Sequence, residues 1–112
     1  YEVGQAIRRF LDTRTERVAV VASSSWSHSF LAHKYDCSAF DLDSDRRYLE
    51  TVREGRGSEL ASLTPEELQD SGDHEILNWI IALGILGDVP AEIVDVRESH
   101  TQLAFRVAAL WG

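Results

Sequence analysis

The spacing of apolar residues predicts a chain of helices and strands. A helical spacing predicts an amphipathic helix over residues 2–13. Its apolar members are Val3, Ile7, Phe10 and Leu11. The β-branched run from Arg17 to Ala22 then predicts a strand that is buried on both faces. A polar turn, Ser23–His28, follows this strand directly, and open α/β sheets bind their ligands at such turns.

Helical patterns dominate the middle of the chain, after an irregular stretch from Ser29 to Ser44 that is typical of a functional loop. One helix is predicted over Asp43–Glu54, with Tyr48, Leu49 and Val52 as its apolar members. The next is predicted to begin at Thr64, followed by proline and then glutamate in its first turn, and to end at Ser71-Gly72.

A last helix, with Asp73 or Ser71 as its cap, is predicted to run to about Leu86. It is apolar all round, so we expect it to be buried all round. Two strands, Glu92–Arg97 and Leu103–Trp111, are predicted to follow. The pattern as a whole indicates an α/β fold in which helices flank a buried sheet.

Composition and net charge bear on the size of the domain, its partners and its location. The chain has 112 residues and a formal net charge of −8, which suits one small domain and disfavours nucleic acids and anionic membranes as partners. No apolar run is longer than Trp79–Leu83, which is far shorter than a membrane span. Because Cys37 is the only cysteine, no disulfide forms within the chain, and a cytoplasmic location is expected. The sequence begins at Tyr1 within a helical pattern, so we expect it to be part of a longer protein.

Two side chains are candidates for chemistry. His28 follows the predicted strand, and a histidine there can accept or donate a proton near neutral pH. Glu75 lies in the predicted first turn of the apolar helix, where a carboxylate could be a rigidly held metal ligand. Each also has a plain structural explanation, because loops carry histidines without a function and helix N-termini favour carboxylates through the helix dipole.

Other chemistry-bearing residues form weaker patterns. His33 is not at a same-face helical spacing from His28, and both His33 and His74 fit polar loop positions better than metal sites. The serines before His28 lack the glycines of a nucleophile elbow. The aspartates of the following loop lack the glycine and the closing glutamate of an EF-hand. Those aspartates are Asp36, Asp41, Asp43 and Asp45.

Three segments together resemble the C-terminal part of the LigB family, the catalytic subunits of class III extradiol ring-cleavage dioxygenases, of the protocatechuate dioxygenase type. They are "VAVVASSSWSHSF", "AFDLDSDRRYLE" and "SLTPEELQDSGDHEILNWIIALGIL". The separation of 47 positions between His28 and Glu75 agrees with the same family pattern. The resemblance extends from the "YEVGQAIRRFL" helix to the last strands and so covers the single domain or domain fragment 1–112.

This resemblance implies roles for both candidates. His28 is at the position of the family's catalytic acid/base, and Glu75 is at the position of its carboxylate ligand to non-haem Fe(II). Ser27, His74 and Asn78 would be neighbours of that site. The family's two histidine ligands lie near the beginning of the subunit and have no counterpart here. Ser24 and Ser25 also occupy a region where the family usually has glycines.

The implied activity is cleavage of a catechol-type aromatic by O2, an oxidoreductase reaction of aromatic compound catabolism. The aromatic substrate and O2 would be the partners, with a second copy or a second subunit as a further one, and the residues that bind the substrate are not identified. We expect the 112 residues alone to be inactive, because one carboxylate does not hold ferrous iron. Two alternatives stay open. One is an interaction or regulatory domain that keeps the fold without metal, and the other is a zinc-dependent hydrolase on the same scaffold.

Overall fold

Four α-helices precede a two-stranded antiparallel sheet in the computed structural model, which describes all 112 residues. The helices are α1 (Glu2–Leu11), α2 (Leu42–Arg53), α3 (Pro65–Ser71) and α4 (Ile76–Leu86), and the strands are β1 (Glu92–Ser99) and β2 (Ala104–Leu110). Short 3-10 helices lie at Ser29–Leu31, His33–Tyr35 and Gly57–Ser62. The predicted α/β class is confirmed, as are all four helices and the last two strands, with small shifts of their ends. None of the helices has both the length and the apolar character that crossing a bilayer would require.

The core is built around Trp26, which is fully buried. Its ring stacks on Phe105 of β2 at a centroid distance of 5.7 Å and meets Trp79 of α4 edge-on at 5.1 Å. Tyr48 of α2 adds a further edge contact at 6.5 Å. Because Trp26 is two residues before His28, these aromatic contacts fix that part of the chain between α2, α4 and β2.

Helix α4 is largely buried, as its apolar sequence predicts, although Leu77 remains 50% exposed. The predicted cap is wrong. The Ser71 hydroxyl instead donates to the carbonyl of Glu67, and neither carboxyl oxygen of Asp73 has a hydrogen-bond partner. Glu75 itself is the N-cap residue, just outside the first turn where it was predicted, and its side chain makes no capping bond. By contrast, the predicted start of α3 is confirmed, because Thr64 and Glu67 form a complete capping box.

Helix α1 packs against α4 through glycine rather than through its apolar side chains. Gly4 is its only buried residue, while Val3 and Phe10 face outward. The backbones of Gly4 and Gly84 approach so closely that a Cβ on Gly84 would lie 2.3 Å from the Tyr1 carbonyl oxygen. Arg8 strengthens the contact, since its guanidinium donates to the Ile85 carbonyl at 2.9 Å, near the C-terminal end of α4.

Replacing Gly84 with alanine should therefore destabilise the protein by about 1–3 kcal/mol, because the added methyl group must push α1 away from α4. Chemical denaturation monitored by tryptophan fluorescence measures this change. Gly112→Ala is the matched control, since a Cβ at Gly112 meets nothing within 4 Å. Equal stability of the Gly84→Ala variant and the unaltered protein would contradict the close packing.

The predicted buried strand from Arg17 to Ala22 is wrong. This segment belongs to no strand or helix, and its side chains are exposed or half-buried, with Val21 85% exposed. The backbone groups of residues 16–24 make no backbone hydrogen bond. Between this segment and β2 lies an apolar cavity of about 700 Å³, with Trp79, Ala82 and Trp111 among its lining residues. A strand requires a neighbour for its backbone, and these residues lie beside a cavity instead.

Candidate active site

The structure brings the two candidate side chains together. Nε2 of His28 lies 4.0 Å from Oε2 of Glu75. His28 precedes the 3-10 helix Ser29–Leu31, and Glu75 precedes α4, so both side chains project from chain segments that lead into helices. The imidazole is mostly covered, at 16% exposure, whereas the carboxylate is 50% exposed. This arrangement places a mostly buried imidazole beside an accessible carboxyl group.

The backbone around His28 is fixed by four different parts of the fold. In the Ser25–His28 turn, each of four successive N–H groups donates a tertiary hydrogen bond. The acceptors, in order, are Glu75 Oε2 (3.0 Å), Phe105 O (3.1 Å), Asp45 Oδ1 (3.1 Å) and Gly72 O (3.3 Å). A turn with every N–H occupied in this way holds its side chains in defined positions.

Ser27 is the most deeply anchored residue of this turn, with no exposed surface. Its hydroxyl donates to Oδ2 of Asp45 and accepts the backbone N–H of Asp41 at 3.1 Å. The hydroxyl is therefore a structural link between the turn and α2. Because it is buried and engaged, it is not available as a nucleophile, in agreement with the missing elbow glycines.

Two buried carboxyl groups lie behind the Ser25–His28 turn. Burial raises the pKa of Asp45 to about 6, although the bonds from Ser27 favour its charged form. Burial, together with the charge of Asp45, raises the pKa of Asp73 to about 8. Burial thus favours the neutral form of both acids, and it does so more strongly for Asp73 than for Asp45, which accepts from Ser27.

A third buried carboxylate, Asp41, has a partner of opposite charge. Burial disfavours its ionised form, but the hydrogen bond from Lys34 and those from Ser44 outweigh this effect and lower the pKa of Asp41. Lys34 is partly exposed, and although burial lowers its pKa, the hydrogen bond that it donates to Asp41 outweighs this and raises the pKa. This ion pair fixes the chain between the His33–Tyr35 helix and α2, with Asp41 as the N-cap of α2.

The side chains of His33, His74 and Asn78 form no hydrogen bond with those of His28 and Glu75. Nδ1 of His33 lies 3.1 Å from Nε2 of Gln69 on α3. His74 and Asn78 are exposed on the surface. Neither His28 nor Glu75 lines the 700 Å³ cavity, whose nearest lining residues along the chain are Ser24 and Trp79.

The sequence model of a known family matches residues 1–109, and its description is "Catalytic LigB subunit of aromatic ring-opening dioxygenase". The chain belongs to the LigB family. The resemblance expected from the sequence is thereby confirmed at the level of this family, which supports aromatic ring-opening dioxygenase activity in general. No curated protein and no solved structure matches the chain.

LigB enzymes are typically metal-dependent, so the donors in this chain matter. No three His, Cys, Asp or Glu side chains lie close enough together to hold a metal ion. Glu75 has one carboxylate oxygen free for a ligand, because its Oε2 accepts from Ser25 while Oε1 has no hydrogen-bond partner and the side chain is half-exposed. The 112 residues thus supply one carboxylate donor and do not complete a three-ligand site.

Sequence reasoning missed Asp45 as the buried partner of the Ser25–His28 turn. A signal for it existed, since Asp45 lies three, four and seven positions before Tyr48, Leu49 and Val52, on the core-facing side of α2. A charged residue on such a stripe indicates a buried partner. Gly72 was predicted only as a helix end, yet a Cβ there would lie 2.7 Å from the carbonyl oxygen of His28.

Proposed function

We propose that this chain carries the acid/base histidine and the carboxylate iron ligand of an extradiol dioxygenase. The substrate would be a catechol-type aromatic, and both atoms of O2 would enter the ring-opened product. His28 is the acid/base and Glu75 the ligand. The other two ligands are histidines from polypeptide outside the 112 residues, so the chain alone would be inactive. Cytoplasmic location is part of the proposal and is compatible with an exposed free thiol at Cys37.

The observation that carries this proposal is the 4.0 Å separation of His28 Nε2 and Glu75 Oε2 in a member of a ring-opening dioxygenase family. The two residues are far apart in sequence, and nothing in ordinary core packing requires an imidazole to face a half-exposed carboxylate. A substrate bound next to Glu75 would therefore have His28 within reach of its hydroxyl groups.

Each residue of the proposed site has a separate role in the reaction. Glu75 and two histidines from outside the 112 residues would hold a ferrous ion, which would supply the redox chemistry with O2 and make catechol hydroxyls more acidic. Nε2 of neutral His28 accepts a proton from a substrate hydroxyl, and the resulting imidazolium returns it later in the reaction. The Glu75 carboxylate, 4.0 Å from the imidazole, stabilises the positive charge that His28 carries while it holds the proton. Phe30, whose ring centroid lies 5.0 Å from that of His28, covers the imidazole.

Replacing His28 with alanine or phenylalanine, in the polypeptide that includes the sequence before Tyr1, tests this function. We expect turnover of a catechol to fall by about 10²–10⁴-fold, the range of general acid–base catalysis, with iron still bound. Oxygen uptake and metal analysis measure the two quantities. His33→Ala is the control, because that ring pairs with Gln69 instead.

An unchanged rate in the His28 variants would remove this residue from the mechanism. If the unaltered longer polypeptide neither binds iron nor consumes O2 with any catechol, the interaction-domain alternative is supported instead. Zinc in place of iron, with hydrolytic activity, would support the third alternative.

A further inference from the structure

We propose that Asp45 is a positioning residue for His28 and acts through Ser27. This inference rests on the function proposed above for His28, and it adds a residue from α2, which is distant in sequence from both site residues. Asp45 makes no hydrogen bond with the imidazole. Its effect on His28 would pass through the backbone and the hydroxyl of the preceding residue.

The geometry of the contact supports this role. Both carboxylate oxygens of Asp45 bind the same residue, since Oδ1 accepts the Ser27 N–H at 3.1 Å and Oδ2 accepts the Ser27 hydroxyl. Two bonds to one residue fix its orientation as well as its position. Ser27 and His28 are adjacent, so a rotation of the Ser27 peptide would turn the His28 side chain away from Glu75.

Fold stability alone does not account for a carboxylate at this place. Asp45 is fully buried on the core-facing side of α2, where an apolar side chain could pack against its neighbours Tyr48 and Leu49. A buried charge costs free energy unless it is hydrogen-bonded, and often stabilises less than an apolar group of similar size. The bonds to Ser27 are therefore the specific contribution of Asp45.

The other hydrogen-bond acceptors of the Ser25–His28 turn do not orient Ser27. Trp26 and His28 donate to backbone carbonyls of Phe105 and Gly72, which hold the path of the main chain. Glu75 is half-exposed and, on the proposed function, also binds iron. Asp45 is the one buried side chain that accepts from the turn.

The experiment compares Asp45→Asn with Asp43→Asn in the 112-residue chain. Asp43 is exposed on the same helix and serves as the matched control. Long-range ¹H–¹⁵N spectra of the four imidazoles report the environment of each histidine ring. In Asp45→Asn we expect the His28 ring resonances to shift and the Ser27 and His28 amides to exchange about tenfold faster or more. The other histidines should be unaffected, and Asp43→Asn should change none of them.

A second variant keeps the proposal testable if Asp45→Asn does not fold. Ser27→Ala removes the hydroxyl bond without altering α2, and it should shift the same His28 resonances. In the double variant, Asp45→Asn should add little to the effect of Ser27→Ala on His28. His28 resonances that match those of the unaltered chain in either single variant would overturn the proposal.

Activity measurements separate this proposal from the proposed function. In the longer polypeptide, Asp45→Asn should lower kcat by about 10–100-fold while KM and iron content stay within about twofold, because a misplaced base is still present. A loss of iron or a change in KM alone would contradict positioning of His28. If His28→Ala is fully active yet Asp45→Asn moves the His28 resonances, the proposed function fails and the structural link stands.

Discussion

Replacing Glu75 with alanine is expected to weaken ferrous iron binding by more than about 100-fold in the polypeptide that also carries the two proposed histidine ligands. The carboxylate supplies one of three donors and the only negative charge among them, and two neutral imidazoles alone bind Fe(II) weakly. An anaerobic ferrous titration measures the affinity. Dioxygenase turnover should be lost together with the iron.

Glu75→Gln separates the ligand role from the structural role of this side chain. Glu75 also accepts the Ser25 N–H, and a glutamine amide oxygen can accept the same bond. We therefore expect Glu75→Gln to keep the turn in place and still lose most of the iron. Glu66→Ala, at an exposed carboxylate in the first turn of α3, should bind iron normally. Full iron occupancy in either Glu75 variant would remove this residue from the ligand set.

Replacing Asp73 with asparagine is expected to have the largest effect on the pH dependence of stability. The pKa of Asp73 is raised to about 8, so the folded protein prefers its neutral form. The contribution of Asp73 to the free energy of unfolding is fully present below the pKa that this group has in the unfolded chain, near 4. It is lost as pH rises through about 8. Asp45, with a pKa of about 6, adds to the same trend over a narrower range.

We therefore expect the unaltered chain to lose stability between pH 5 and pH 9, by at most about 1.4 kcal/mol per pH unit for each group. Asp73→Asn should be similar in stability to the unaltered chain at pH 5 and more stable at pH 9. Urea denaturation at both pH values, with a chelator present, gives the comparison. Asp70→Asn, at an exposed position on α3, is the control. A stability profile of Asp73→Asn that parallels that of the unaltered chain would contradict burial of this acid.

Local signals in the sequence predict much of the fold. The capping box at Thr64, the apolar run of α4 and the final hairpin depend on residues close together in the chain, and the structure contains all three. The segment Arg17–Ala22 has an equally clear local pattern but forms no strand. Its β-branched composition describes a preference, whereas a strand also requires backbone partners from another segment. Helix α1 shows the same limit, since Gly4 packs against α4 and the apolar stripe does not.

The candidate site was predictable only in part. The family pattern paired His28 with Glu75, and the structure places them 4.0 Å apart, although their chemical roles stay predictions. The hydrogen bonds that hold the Ser25–His28 turn in place were harder to predict, because those from Ser27 to Asp45 join residues that are distant in sequence. Periodicity indicates that Asp45 faces the core. It does not indicate which polar group meets it there.

The unpaired backbone of residues 16–24 affects how the chain behaves at high concentration. Unpaired N–H and C=O groups can pair with those of another molecule and so promote aggregation, and the exposed Val18 and Val21 make that contact more favourable. The net charge of −8 opposes it, because equally charged molecules repel one another. Added salt shortens the range of this repulsion from about 30 Å at 0.01 M to about 8 Å at 0.15 M. Dilute buffers of low ionic strength therefore favour a monodisperse sample.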